Sequence, residues 1–269
     1  MFEQEGNRER IAAVTGASGA IGMAIARQLA AVPGHDVVLV CRNEDKAVRC
    51  VQNISRTTGN PRVRYELADL SRRASIEALA QRWEGPLDVL VNNAAITPRR
   101  LTHTPEGIEM QFATNVLGYF WMIEVFTEHL KQGSAARIVN VASYWAGGLD
   151  LGDLEFEKRC YNNDAAYRQS KQADRMLTVA FARRLQPFGI KVNACHPGDV
   201  NSTLSNNLGF GGHESPDAGA RTPVWLATSD AGGKHTGKYF EHQRQVSCPF
   251  GRNPAAVESL YAACRSYTN

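Results

Sequence analysis

The chain has 269 residues, 43% apolar and 21% charged, and its 30 basic and 27 acidic residues leave a net charge of +3. That length allows one large domain or two small ones with a full core and a ligand cleft, and the interspersed charge excludes an electrostatic nucleic-acid binder. The start is charged and no stretch approaches the roughly 20 apolar residues of a membrane span, so a soluble, cytoplasmic protein is expected.

Residues 10–14 read as a buried strand and residues 20–31 as a helix rich in Ala, Ile and Leu. Between them Thr15-Gly16-Ala17-Ser18-Gly19-Ala20-Ile21-Gly22 forms a Gly-rich turn. Such a turn lets the backbone approach a pyrophosphate while the helix N-terminus offers free N–H groups. Residues 36–41 are a second apolar run, of the kind a parallel sheet buries on both faces. Arg42 follows at its end. In a strand–helix–strand unit that position faces a ribose, where an acid holds the 2′-hydroxyl and an Arg pairs with a 2′-phosphate, which points to NADP(H) over NAD(H).

A helix over 44–58 and a third strand over 62–67 come next. Asp69-Leu70 then stand where a carboxylate can accept from an adenine amino group or cap a helix. A helix over 71–83 leads to a fourth strand, 87–91, running into Asn92-Asn93-Ala94-Ala95, small residues and amides against which a cofactor ribose can lie. Residues 104–132 read as one long helix or two consecutive ones, with Asn115 inside the second part. Phe120, Trp121 and Ile123 are among apolar companions on too much of the circumference for one stripe, which predicts packing against both the sheet and a partner subunit.

A fifth strand, 137–141, ends at Ala142-Ser143, and 144–163 is irregular. Asn163 or Asp164 caps the next helix, which runs to about 186. It carries Tyr167 and Lys171 in its first two turns. A phenol and an ammonium four residues apart share one helix face, so the cation can favour the phenol's anion, a proton-transfer arrangement. A sixth strand, 190–195, leads into His196-Pro197-Gly198-Asp199-Val200, where His196 reads as a packing residue. Residues 201–214 read as a loop over the strand ends, 218–228 as a helix, 237–241 as a seventh strand and 254–267 as a closing helix.

The six cysteines form no C-x-x-C pair, which fits a reducing compartment, and the seven histidines show no metal-ligand spacing, so no metal is expected. Alternation of strands and helices predicts an α/β, doubly wound parallel sheet (Rossmann) of seven strands flanked by helices on both faces. A single domain over 1–269 is expected, with substrate loops at about 144–163 and 199–215. Gly16 to Gly22, Arg42, Asp69, Asn93, Ser143 and Pro197-Gly198 follow the carboxyl ends of the first to sixth strands in turn, where such sheets bind ligands.

Thr15-Gly16 with Gly22, Asp69, Asn92-Asn93-Ala94, Asn115, Ser143, Tyr167 with Lys171, and Pro197-Gly198 together resemble the short-chain dehydrogenase/reductase family over about residues 10–245. Val40-Cys41-Arg42-Asn43, residues 137–141 and His196-Pro197-Gly198 resemble its branch of retinol dehydrogenases and protochlorophyllide reductase-like proteins. Two positions depart: Ala20 replaces the usual middle glycine of the phosphate turn, and Ala95 the glycine that closes Asn-Asn-Ala-Gly.

The resemblance implies an NADPH-preferring oxidoreductase interconverting an alcohol and an aldehyde or ketone on a small to medium, partly apolar substrate. Tyr167 would exchange the proton, and Lys171 would lower its pKa and bind the nicotinamide ribose. Ser143 would hold the carbonyl oxygen, and Asn115 a water linked to Lys171. Cofactor contacts would come from Gly16, Ser18, Gly19, Ala20, Ile21, Gly22, Arg42, Asn43, Asp69, Leu70, Asn93, Ala94, Ala95, Tyr167, Lys171, Pro197, Gly198 and Val200. Tyr144, Trp145, Leu149 and Phe156 either wall the substrate pocket or pack their loop onto the body. The alternative is a nucleotide-binding regulatory or interaction protein with the same fold and little turnover. A homodimer through the helices around Asn115 and after Tyr167, or a monomer with that face covered, are both compatible with the sequence.

Overall fold

The structure, a computed structural model, describes residues 8–268, so most of the charged start lies outside it. Its strands are β1 (Arg10–Thr15), β2 (His35–Cys41), β3 (Val63–Leu67), β4 (Val89–Asn92), β5 (Arg137–Val141), β6 (Lys191–Cys195), β7 (Tyr239–Glu241) and β8 (Arg244–Val246). They form one sheet of order β3-β2-β1-β4-β5-β6-β7-β8, parallel from β3 to β7. The chain direction of the strand order reverses between β1 and β4, which opens a crevice at their carboxyl ends.

Side chains alternate across the sheet with period two. Ala13, Val38, Val40, Leu90 and Ile138 enter one core, and Ala12, Val14, Val37, Leu39, Val89, Val91 and Val139 enter the other. The second core is closed by α1 (Ala20–Ala30), α2 (Glu44–Thr58) and a later helix. The first is closed by α3 (Arg73–Gln81), α4 (Gly118–Val125), α5 (Thr127–Lys131) and α6 (Asn163–Leu185). Beyond β6 come α7 (Thr203–Asn207), α8 (Pro216–Thr228), α9 (Asp230–Gly233) and α10 (Pro254–Ser266). Of these, α8 covers the second core and α10 the first.

Four details differ from the sequence reading. The sheet gains an eighth strand, antiparallel to β7, whose three residues are all exposed and so carry no apolar alternation. Its turn is made by His242 and Gln243 at φ 47° and 62°, left-handed conformations in which Asn-Gly is the usual signal. The stretch 104–132 is not one helix. Thr104, Pro105 and Gly107 (φ 87°) form a turn closed by the His103–Glu109 bridge, followed by a π-helical segment, Phe112–Leu117, and then α4. The cap of α6 is Asn162, whose side chain accepts from the Ala165 N–H at 2.9 Å, so Asn163 and Asp164 are already helical. The loop after β6 holds a short helix, α7, closed by a reciprocal Ser202–Ser205 capping box.

The apolar girth of α4 has an intramolecular explanation. Phe120, Trp121 and Ile123 are all buried within the chain, and the Phe120 ring lies 5.2 Å from both Phe181 on α6 and Tyr261 on α10. The closing helix thus packs on an apolar face for which the sequence left a partner subunit and intramolecular cover both open. Phe120→Ala should remove an anchor shared by three helices and lower the unfolding free energy by about 3–5 kcal/mol, measured by urea titration.

Candidate active site

Thr15, the last residue of β1, ties the crevice together. Its hydroxyl accepts from the backbone N–H groups of Asn93 (2.9 Å) and Ala94 (3.1 Å), and its carbonyl accepts from the Asn93 amide. The ends of β1 and β4 are held so close that a Cβ on Gly16 would lie 2.7 Å from the Ala94 Cα, and one on Gly22 would lie 2.4 Å from the Gly16 carbonyl oxygen. Glycine is required at both by close approach. Ala20 is different: it is the first residue of α1, exposed and helical, so the turn's conformation does not demand glycine there. Gly19 at the N-cap provides no side-chain cap and the first turn carries no acid, which leaves N–H donors available to an anion.

This turn forms one wall of a cleft of about 500 Å³. Gly16, Ser18, Gly19, Ala20, Ile21, Gly22, Arg42, Asp69, Leu70, Asn93, Ala94 and Ala95 all line it, as the sequence predicts. Lys46, Ile96, Thr114, Ser202, Thr203 and Leu204 line it as well and were not foreseen. Two predicted contacts are otherwise engaged. Asn43 is the N-cap of α2, accepting from the Lys46 N–H at 2.9 Å. Asp69 lines the cleft but caps no helix: one carboxylate oxygen accepts from the N–H and hydroxyl of Ser71, closing the turn before α3. The shape, the tight glycines and the open helix N-terminus fit a dinucleotide.

A second, smaller pocket of about 40 Å³ adjoins this cleft, sharing Ile21, Ser202 and Leu204 with it. Ser143, Tyr167, Pro197, Gly198 and Val200 line it together with Tyr144, Trp145, His196 and Phe210. Ser143 and Tyr167 are therefore brought together, although β5 and α6 carry them 24 residues apart. Tyr144 and Trp145 are wall residues. Leu149 packs against the first core, and Phe156 is buried against Tyr161 and Arg159, so those two fix their loop to the body. Buried Asp153 accepts from the N–H groups of Glu157, Lys158 and Arg159 and gives that loop its shape.

Asn115 sits in the π-helical segment, a kind of irregularity that recurs at functional sites. Its side chain exchanges two hydrogen bonds with the Ile96 backbone (2.9 and 3.0 Å) and donates to the Ser170 hydroxyl at 3.3 Å. It thus pins the loop after β4 to α6 without touching Lys171. Below it, the Asn92 amide donates to Asn140 Oδ1 (3.0 Å), and Asn140 donates to Thr178 Oγ1 (2.9 Å), a buried chain from β4 through β5 to α6.

The Tyr167–Lys171 pair departs from its sequence reading. The Lys171 ammonium donates to the Val141 carbonyl (3.0 Å) and to Asp174 Oδ2 (2.9 Å), and lies 6.0 Å from the centroid of the Tyr167 ring. Burial pushes the Tyr167 phenol up to about 12; the Ser143 hydroxyl beside it opposes the rise, while Asp174 and Tyr144 add to it. In this ligand-free pocket burial is the largest influence on the phenol, and the Lys171 ammonium is engaged by Asp174 and the Val141 carbonyl. His196 is buried against Tyr144, at 4.7 Å between rings, and burial drives it down to about 3, so it is neutral at physiological pH.

The family model for short chain dehydrogenase matches residues 10–209. The chain belongs to the short-chain dehydrogenase/reductase family. It is 36% identical over 252 residues to retinol dehydrogenase 13 of Mus musculus, covering 86% of this chain and 75% of that one. Among solved structures, a Mycobacterium paratuberculosis protein superposes with a TM-score of 0.81 at 25% identity, over 96% of this chain and 93% of that one. A Burkholderia cenocepacia short-chain dehydrogenase in complex with NADP gives 0.68 at 26% identity, over 86% and 95%. This short-chain dehydrogenase therefore lies in the retinol dehydrogenase-like branch, and it is an NAD(P)-dependent oxidoreductase acting on CH–OH or C=O groups. That membership decides against the non-catalytic alternative.

Because a Cβ on Gly22 collides with the backbone of its own turn, Gly22→Ala should weaken NADPH binding at least about tenfold. Titration of NADPH fluorescence checks this; unchanged affinity would show that the turn can widen.

Proposed function

We propose that this dehydrogenase prefers NADP(H) and interconverts an alcohol and an aldehyde or ketone on a small to medium, partly apolar substrate, with Tyr167 as the acid/base. The observation that carries the reading is the meeting of Ser143 and Tyr167 in one aromatic-walled pocket that opens onto the dinucleotide-shaped cleft. NADP(H), when bound, supplies the hydride. The chain's own residues do the rest: the Ser143 hydroxyl orients the substrate oxygen, and the Tyr167 phenol gives that oxygen a proton on reduction or removes it on oxidation. In the ligand-free pocket burial keeps the phenol protonated at neutral pH.

Support for the 2′-phosphate comes from two cations. Arg42, just after β2, and Lys46, in the first turn of α2, are exposed at the same rim of the cleft, and neither forms an ion pair among the described residues. A phosphate is their natural counter-ion. The NADP in the Burkholderia neighbour points the same way. For the substrate, Tyr144, Trp145, Leu204 and Phe210 offer an apolar lining, and retinol, named in the mouse relative, is an apolar alcohol. All six cysteines are free thiols, which fits the cytoplasmic or another reducing setting we propose, and no described helix is long and apolar enough to cross a membrane.

Tyr167→Phe should lower kcat roughly 10²- to 10⁴-fold with little change in NADPH affinity, followed as NADPH consumption over a panel of aldehydes and ketones. Full activity in that variant would end the Tyr167 assignment. Arg42→Ala and Lys46→Ala should each weaken NADPH binding about tenfold or more while leaving NADH binding nearly unchanged; equal losses for both nucleotides would refute the 2′-phosphate site.

A further inference from the structure

Lys171 and Asp174 make the one ion pair among the described residues in which both side chains are buried, at 2% and 0% exposure. They lie one turn apart on α6, with Nζ 2.9 Å from Oδ2. The ammonium is also fixed by the Val141 carbonyl at the end of β5, which in addition accepts from the Tyr119 hydroxyl at 3.2 Å. Asp174 Oδ1 is buried and reached by no protein donor among the described residues.

The other titratable groups facing this pair are Tyr119 on α4, Tyr167 on α6, Cys195 on β6 and Cys264 on α10. Burial raises all four, so they are uncharged near neutral pH. The nearby charges are engaged elsewhere. Arg175 donates to the Ser143 carbonyl and stacks on Tyr239, and Glu124, beyond Cys264, is paired with Arg73 and Arg265. Lys171 and Asp174 are thus the buried ion pair beside the phenol, with Asp174 and Tyr144 both raising it.

We propose that Asp174 is a positioning residue for proton transfer: as the counter-ion of Lys171, it engages the ammonium from the next turn of the same face of α6 and cancels much of the positive charge that Tyr167 would otherwise feel. The inference rests on Tyr167 being the acid/base. From the phenol, a cation 2.9 Å from a carboxylate acts as a dipole rather than as a monopole, and its pull on the phenol's proton is correspondingly weaker. Protonation of Asp174, which burial brings up to about 7, would turn that dipole back into a net cation. The residue thereby links the phenol's acidity to a second proton.

Asp174→Asn keeps the shape and removes the charge, so the Tyr167 ionisation should move down by about one to three pH units. It is read in the ligand-free protein as tyrosinate absorbance after a rapid alkaline pH jump, with Tyr167→Phe identifying the signal. The pH limb of alcohol oxidation should move in the same direction. Asp174→Glu retains the charge and should keep the wild-type ionisation. A signal lost in Tyr167→Phe but unmoved in Asp174→Asn would overturn the inference, as would an equal shift in Asp174→Glu. Should Asp174→Asn not fold, the Lys171→Met/Asp174→Asn double variant leaves no buried charge unpaired; because the pair acts as a dipole, removing both charges should leave the Tyr167 ionisation within about one pH unit of wild type, and a larger upward shift, the mark of a lost net cation, overturns the inference. Normal turnover by Tyr167→Phe would instead sink the acid/base reading itself, so the two failures are distinguishable.

Discussion

The site depends first on the buried amide chain that runs from Asn92 through Asn140 to Thr178. Parallel strands bring Ser143 and Asn93 to one edge of the sheet, but nothing in sheet geometry fixes how far α6 slides along it. The Asn140–Thr178 bond does so, and Thr178 also bonds back to the Asp174 carbonyl one turn earlier. With α6 fixed in register, Tyr167 reaches the pocket at the end of β5. Buried polar groups of this kind add specificity because a shifted helix would leave amides unpaired in the core.

Much of this was legible in the sequence, since the elements that build the cleft announce themselves locally. Glycine turns, buried strands of five or six residues and the Tyr167–Lys171 spacing each reflect a short-range rule. Lys46 and Asp174 also had local signals, four residues after Arg42 and three after Lys171, but such spacings on a helix usually mean a solvated face. Only burial distinguishes Asp174. Ser202 and Phe210 had no such signal: their place in the pockets follows from the path of the chain after β6, which depends on the Val200–Glu214 bridge and on the Asp199 N–H donating to Glu214. The cover that α10 gives to α4 had no local signal either, because Tyr261 packs on Phe120 from the far end of the chain.

The smaller pocket, which we propose takes the substrate, is narrow because two loops from different strand ends meet across it. Trp145, after β5, and Phe210, after β6, stand 4.3 Å apart between ring centroids. A substrate of more than a few atoms requires these rings to separate, so selectivity resides as much in the cost of parting them as in the walls they form. The loop bearing Trp145 is anchored by Asp153 and by Tyr161, whose hydroxyl donates to the Pro98 carbonyl at 2.8 Å. Phe210 sits in a run with glycines on both sides, Gly209 and Gly211, and has more freedom to move.

The short hairpin of β7 and β8 bears on a different hazard. A sheet ending at β7 would present a row of unpaired N–H and C=O groups, a template on which a second chain can crystallise as cross-β. β8 satisfies that row, and its own outer edge is three exposed residues long and begins with Arg244, too short and too charged to recruit a strand. His242 and Gln243 hold left-handed backbone to make the turn, at about 1–2 kcal/mol per residue for side chains with a Cβ. The fold accepts that strain in a turn at the edge of its sheet, within electrostatic reach of His196.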